Sequence, residues 1–344
     1  MPAASRAATD HDRTVLVLDV DTGIDDALAL LYAAASADAE LLAVTCVGGN
    51  VTARQVEQNT RAVLQLAGRD DLEVALGRET PLVKPIEIAP ETHGPRGLGY
   101  ADLVPARRPL SSRHAADVIV GHARARPGEV TLVTLGPLTN LAVALEREPA
   151  LPRLLRGYVL MGGAYRTSGN TTPTAEWNVY VDPEAAALVF EAWAAAEQTD
   201  ASIPRPLAMG LDVTERARLL PEHLDRIVAA RGGPDDPIAR FVTDALRFYF
   251  EFHDRYDGFY GAFVHDPFAI AAALDPSLVR TEPVHVDVET GPGPAHAMTV
   301  ADWRGLTGQP PNLDVAIDAD APVFLERLVD RLGRLAPRQP DMAL

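Results

Sequence analysis

The chain has 344 residues, 47% of them hydrophobic, enough to bury a sizeable core in one large domain or two average ones. Its 31 basic and 48 acidic residues give a formal net charge of -17, a field that repels phosphate backbones and anionic lipid and so argues against nucleic acid or a membrane surface as partner. Lys84 is the only lysine and Cys46 the only cysteine, which leaves lysine chemistry one unpromising candidate in the loop segment PLVKP, and excludes an intrachain disulfide.

In chain order, residues 1–13 lack an apolar stretch and read as a disordered lead, and no run of about 18 apolar residues follows that could span a bilayer. Together with the lone cysteine this predicts a cytoplasmic protein. TVLVLDV (14–20) predicts a buried strand, 25–35 a helix, 40–48 a strand that buries Cys46, and 52–68 a helix closed by Gly68. A short strand at 72–76 precedes a long Pro/Gly-rich loop, 77–105. HAADVIVGHARA, EVTLVTLG, LTNLAVALERE and GYVLMGG then alternate helix, strand, helix and strand. This alternation predicts an α/β fold with a doubly wound, mostly parallel central sheet flanked by helices and a site at the strand C-terminal ends. The loop 163–178 is longer than a compact fold needs, as functional loops often are, and 195–206 reads as a surface insertion. Phe and Tyr crowd into 241–263, more as helix packing than as a base-stacking platform, before HDPFAIAAAL starts another helix. No domain boundary is evident, so 14–336 is expected to be a single domain with 337–344 as its tail.

Asp19, Asp21, Asp25 and Asp26 fall within eight residues directly after the first strand. One of them can cap the following helix, but four carboxylates in one turn raise one another's pKa unless something positive neutralises them. With no lysine nearby, a divalent cation answers that need, and all-oxygen ligands suit Ca2+ or Mg2+. Two enzyme classes use such a cluster. A Mg2+-dependent phosphatase resembling the haloacid dehalogenases is one, but Gly23 stands where those have threonine or valine, and Lys84 would have to be their phosphate-binding cation.

The other fit is closer. DVDTGIDDA resembles the N-terminal signature of the inosine-uridine-preferring nucleoside hydrolases, with Thr22 where proline is usual, and five further segments resemble that family in its order. These are GGN ending in Asn50, THGPRGLG with His93, TLGPLTNLA with Leu135, and the stretch from MGGAYRTSGN to AEWNVYVDP with Asn170, Glu176, Trp177 and Asn178; VHDPFAIA adds His265 and Asp266. The resemblance implies a calcium-dependent enzyme that hydrolyses the N-glycosidic bond of small ribonucleosides, working as a homodimer or homotetramer. It implies that Asp21, Asp26, Asp266 and the Leu135 carbonyl bind Ca2+. Asp21 would be general base, and Asp25 with Asn50 and Asn178 would hold the ribose cis-diol. Asn170 and Glu176 would hold the 5′-hydroxyl, His93 would lie over the base, Trp177 would contact ribose or base, and His265 would protonate the leaving base. Asp19 is left as support for the others. Tyr256 and Tyr260 are the members of the aromatic cluster expected in the site. A metal-bound sugar-binding protein without catalysis is the remaining alternative, and it would need neither Asp21 as base nor His265 as acid.

Overall fold

The run that opens the chain forms strand β1 (Thr14–Val20), buried from Val15 onward. Helices cover both faces of its sheet, which is why the strand reads as a continuous apolar run rather than an alternating one. Residues 13–336 are described by the computed structural model, so the expected lead (but for Arg13) and tail lie outside the described residues. Helix α1 (Ile24–Ala35) returns to β2 (Ala39–Cys46), and α2 (Ala53–Leu66), capped by Thr52, returns to β3 (Glu73–Leu76). The chain then crosses to the other side of β1 and adds β4 (Val130–Thr134), β5 (Gly157–Met161) and β6 (Leu207–Met209). The order is β3-β2-β1-β4-β5-β6, continued by the strands Leu313–Ala319 and Val279–Val284. Every pairing is parallel except the last, an antiparallel edge.

The strand order reverses between β1 and β4, and a crevice opens there at the carboxyl ends of the strands. The acidic turn after β1, the GGN segment after β2 and the segments after β4 and β5 therefore converge on one point. The helix His265–Leu274 is buried over most of its length and packs against α1, which brings the distant HDP segment to the same place. The helix Pro237–Tyr256 packs against α1, and Tyr249, Phe252, His253 and Tyr256 at its C-terminal end line the crevice.

One expectation fails in part. The segment 195–206 is not simply an insertion, because its alanine-rich beginning continues the helix Pro183–Thr199. Ile203 is buried, and Arg205 closes the segment down by bonding Glu197 and, at 2.8 Å, Asp314. The loop 77–105 also contains a short helix, Pro90–His93, and the loop after β5 ends in the helix Trp177–Val181. Among the described residues no helix is long and apolar enough to cross a membrane.

Candidate active site

The floor of the crevice is built by main-chain amides turning off β1. Asp26, in the first turn of α1, accepts hydrogen bonds from the Asp21 amide at 3.2 Å and the Gly23 amide at 2.9 Å. The Asn50 amide donates to Asp21 Oδ2 at 2.8 Å, and the Asn50 side chain reaches Asp26 Oδ2 at 3.2 Å. Two glycines make room for Asp21: a Cβ on Gly49 would overlap its carboxylate, and one on Gly136 would lie 2.9 Å from it. Thr22, in place of the family's proline, ties the turn to α2 through a 2.6 Å hydroxyl contact with Thr60. Asp19 accepts from Thr45 Oγ1 at 2.6 Å and from Asn140 Nδ2 at 2.8 Å, the arrangement of a structural anchor beneath the site.

Oxygens of Asp25, Asp26 and Asp266 lie within 4.8 Å of one another. All three are buried, as is Asp21, whose Oδ1 has no hydrogen-bond partner. Burial, then repulsion from Asp26, pushes Asp25 up to about 8 and Asp21 well above the usual carboxylate range. Asp266 is raised by burial and by Asp25. Among the described residues no lysine or arginine lines the crevice to neutralise them. An orphaned carboxylate oxygen in a crowd of buried oxygens fits a hard divalent cation. The tight trio contains two of the four ligands expected from the sequence, Asp26 and Asp266, and adds Asp25; Asp21 stands beside it. Of these acids, Asp25 and Asp266 line the open cleft, while Asp21 and Asp26 lie beneath its surface.

The cleft has a volume of about 580 Å³ and is lined by Asp25, Asn50, His93, Leu135, Asn170, Glu176, Trp177, Asn178, His265 and Asp266 together. Segments up to 241 residues apart in the chain thus meet, from Asp25 to Asp266. Glu176 caps the helix Trp177–Val181, accepting from the amides of Gly163 (2.9 Å), Asn178 (2.9 Å) and Val179 (3.2 Å); burial still raises its pKa. Asn178 donates to the carbonyls of Leu135 at 2.7 Å and Met161 at 3.1 Å, so the carbonyl expected to face a metal is also this side chain's anchor. Asn170 accepts from the Trp177 amide at 3.0 Å, which folds the long loop back over the cleft. His93 Nδ1 accepts from the Ile24 amide at 3.1 Å, and burial lowers its pKa to about 3, which leaves a neutral ring whose Nε2 carries the proton.

His265 Nδ1 lies 2.8 Å from Thr214 Oγ1, and burial lowers its pKa to about 3. Thr214, on a short helix after β6, carried no motif and was not anticipated. Nor were Glu215, Tyr249, Phe252, His253, Asp257 and Phe263, which also line the cleft. A signal existed for four of the aromatic group: Tyr249, Phe252, His253 and Tyr256 are spaced i, i+3, i+4, i+7 and share one helix face. Tyr256 lines the cleft as expected. Tyr260 does not; it packs edge-on against Phe250, with ring centres 5.4 Å apart. Lys84 is also outside the cleft lining, paired with Glu87 at 3.2 Å and lying over the Tyr180 ring, so the phosphatase reading loses its cation.

The sequence and the fold are both shared with characterised groups. The family model of the inosine-uridine preferring nucleoside hydrolases matches residues 16–326. A pyrimidine-specific ribonucleoside hydrolase, RihA, of Enterobacter sp. (strain 638) is 38% identical over 325 residues, covering 94% of this chain and 99% of the relative. Its counterpart in Citrobacter koseri is 39% identical over 320 residues, covering 92% and 97%. Among solved structures, a purine-preferring ribonucleoside hydrolase from Gardnerella vaginalis superposes with a TM-score of 0.85 at 30% identity, covering 94% of this chain and 99% of that one. A plant nucleoside hydrolase, PpNRh1, superposes with a TM-score of 0.84 at 30% identity, covering 93% and 99%.

Proposed function

The chain belongs to the inosine-uridine preferring nucleoside hydrolase family and is a ribonucleoside hydrolase, and we propose that it breaks the N-glycosidic bond in this cleft with Ca2+ held on the acidic floor. The observation that carries the proposal is the crowd of buried carboxylates with an unpartnered Asp21 Oδ1, at the bottom of a cleft that no lysine or arginine lines among the described residues. Asp21, Asp26, Asp266 and the Leu135 carbonyl would hold the ion, with Asp25 at its edge. When bound, Ca2+ supplies a fixed positive charge that neutralises the cluster, orients the ribose hydroxyls and lowers the pKa of water.

The residues of the chain do the rest. Asp25 lines the cleft at the sugar end and, with Asn50 and Asn178, holds the 2′- and 3′-hydroxyls. Asn170 and Glu176 receive the 5′-hydroxyl, with Trp177 against the ribose. Asp21, whose free oxygen has nothing else to accept from, takes the proton of the attacking water. As the C1′–N bond lengthens, positive charge grows on the sugar ring, and the surrounding carboxylates favour that state over the neutral substrate. Negative charge grows on the departing base at the same time. His93 and His265 flank that end; with Nδ1 held by Thr214, the other ring nitrogen of His265 is left for the base. Burial keeps the resting His265 ring neutral; negative charge growing on the base beside it raises the ring's pKa, so the ring takes up a proton from water and passes it to the leaving nitrogen. The single buried cysteine suits a reducing, cytoplasmic setting.

The test is metal dependence. Exhaustive chelation should abolish release of reducing sugar from ribonucleosides, and Ca2+ added back should restore it. Full-rate hydrolysis by the metal-free protein would remove the ion from the reading.

A further inference from the structure

Beside the acidic cluster, the cleft has a second set of polar groups that the reaction above leaves unused. His253 is buried in the helix Pro237–Tyr256, and its Nδ1 donates to Asp257 Oδ2 at 2.7 Å, one turn on. Its Nε2 accepts the Phe263 amide at 3.4 Å, so both ring nitrogens are committed and a single neutral tautomer satisfies them. The ring is clamped by aromatic neighbours: it stacks on Phe259 with centres 5.6 Å apart and meets Phe263 and Phe252 edge-on at 5.0 and 5.2 Å. A locked ring therefore holds one oxygen of Asp257 and leaves the other free. Asp257 and Glu215 both line the cleft, and among the described residues no lysine or arginine does so. Burial, helped by the charges of Asp257 and Asp212, pushes Glu215 up to about 7, whereas Asp257 is held in place by the His253 ring.

We infer that Asp257, positioned by His253 and seconded by Glu215, is the recognition group for the distal edge of the nucleobase, and that it selects bases presenting an exocyclic amine there. The inference rests on the cleft being a nucleoside site and adds which class of nucleoside it prefers. An aromatic slot accepts any flat heterocycle, whereas a fixed carboxylate at its end makes a charge-assisted bond only with an N–H. Cytosine and adenine offer an amine where uracil and hypoxanthine offer a carbonyl, and a carbonyl oxygen facing a carboxylate is repelled. The neutral hydroxyls of Tyr249 and Tyr256 are weaker donors and do not reverse that preference.

The experiment measures kcat/KM for cytidine against uridine and for adenosine against inosine, in the unmodified protein and in D257N and H253F. Each ratio is independent of the fraction of active enzyme. The unmodified protein should favour the amine-bearing member of each pair. D257N, whose amide can donate as well as accept, should lower both ratios about tenfold, the worth of one hydrogen bond. H253F keeps a ring in the aromatic clamp but loses the Nδ1–H; it should lower the ratios alone and add little to D257N. Ratios that stay within about twofold in D257N, or that favour the carbonyl member at the outset, would overturn the assignment. Calorimetric binding of free cytosine and uracil to the unmodified protein gives an independent reading, with cytosine expected to bind more tightly. If bases bind with that preference but no nucleoside is hydrolysed, the hydrolytic reading fails and the edge assignment stands. If nucleosides are hydrolysed and the ratios do not move, the reverse holds.

Discussion

The two ends of the cleft are held in place by different means. At the sugar end, Asp21, Asp26 and Asn50 sit on turns leaving parallel strands, and main-chain amides of Asp21, Gly23 and Asn50 fix the carboxylates. At the base end, Tyr249, His253, Asp257 and Glu215 come from one helix face and a loop, and are fixed by ring packing and side-chain bonds. A change at the first end disturbs the turns themselves, because the carboxylates there satisfy main-chain amides. A change at the second end alters only a wall. Selectivity can be retuned there without touching the floor.

The largest expected effect lies at the junction of the two ends, in His265. Replacement by alanine should slow cleavage of inosine or uridine by about 10²- to 10⁴-fold, the usual worth of a positioned proton donor. A riboside with a nitrophenolate leaving group departs without a proton and should keep most of its rate. Equal losses on both substrates, read from steady-state kcat, would make His265 a support for Asp266 rather than an acid.

A smaller effect probes the sugar end alone. Glu176 is buried beside the proposed 5′-hydroxyl site, so a 5′-phosphate would meet a carboxylate at close range. Uridine should be cleaved about a hundredfold better than its 5′-monophosphate, the size of a like-charge clash at a binding surface. Comparable specificity constants for the two would move Glu176 away from the 5′ position.

The smallest effect concerns stability and separates the buried floor from the open wall. Asp25 is raised from 3.8 to about 8, so the folded, metal-free protein holds protons that the unfolded chain has already released. Its contribution to stability is present below about pH 4 and is lost as pH rises toward 8. The melting temperature of chelated protein should fall by several degrees across that window, and Ca2+ should restore it most at the upper end. Asp257 lies exposed on the open wall, and D257N should leave that fall across the window in place. A melting temperature that climbs through the same window would contradict the burial of uncompensated charge.

The sugar end was legible in the sequence because strand C-terminal ends carry their ligands on short contiguous motifs. DVDTGIDDA, GGN and HDP are each contiguous in the chain, and β1, β2 and β5 fell where continuous apolar runs predicted. Thr22 was visible as a departure, but its bond to Thr60, 38 residues on, was not. The base end needed the tertiary structure. Glu215 and Asp257 belong to no motif, and they reach the cleft only because the segment after β6 and the end of the helix Pro237–Tyr256 both pack against it; Thr214 acts from behind, on His265. Periodicity shows that Tyr249, Phe252, His253 and Tyr256 share a face, but not whether that face meets core, solvent or ligand. Likewise Asp25 joined Asp26 and Asp266 in one trio only once α1 and the helix His265–Leu274 were packed together. Local sequence determines which groups a turn can present; which groups meet across hundreds of residues depends on packing free energies distributed over the whole core.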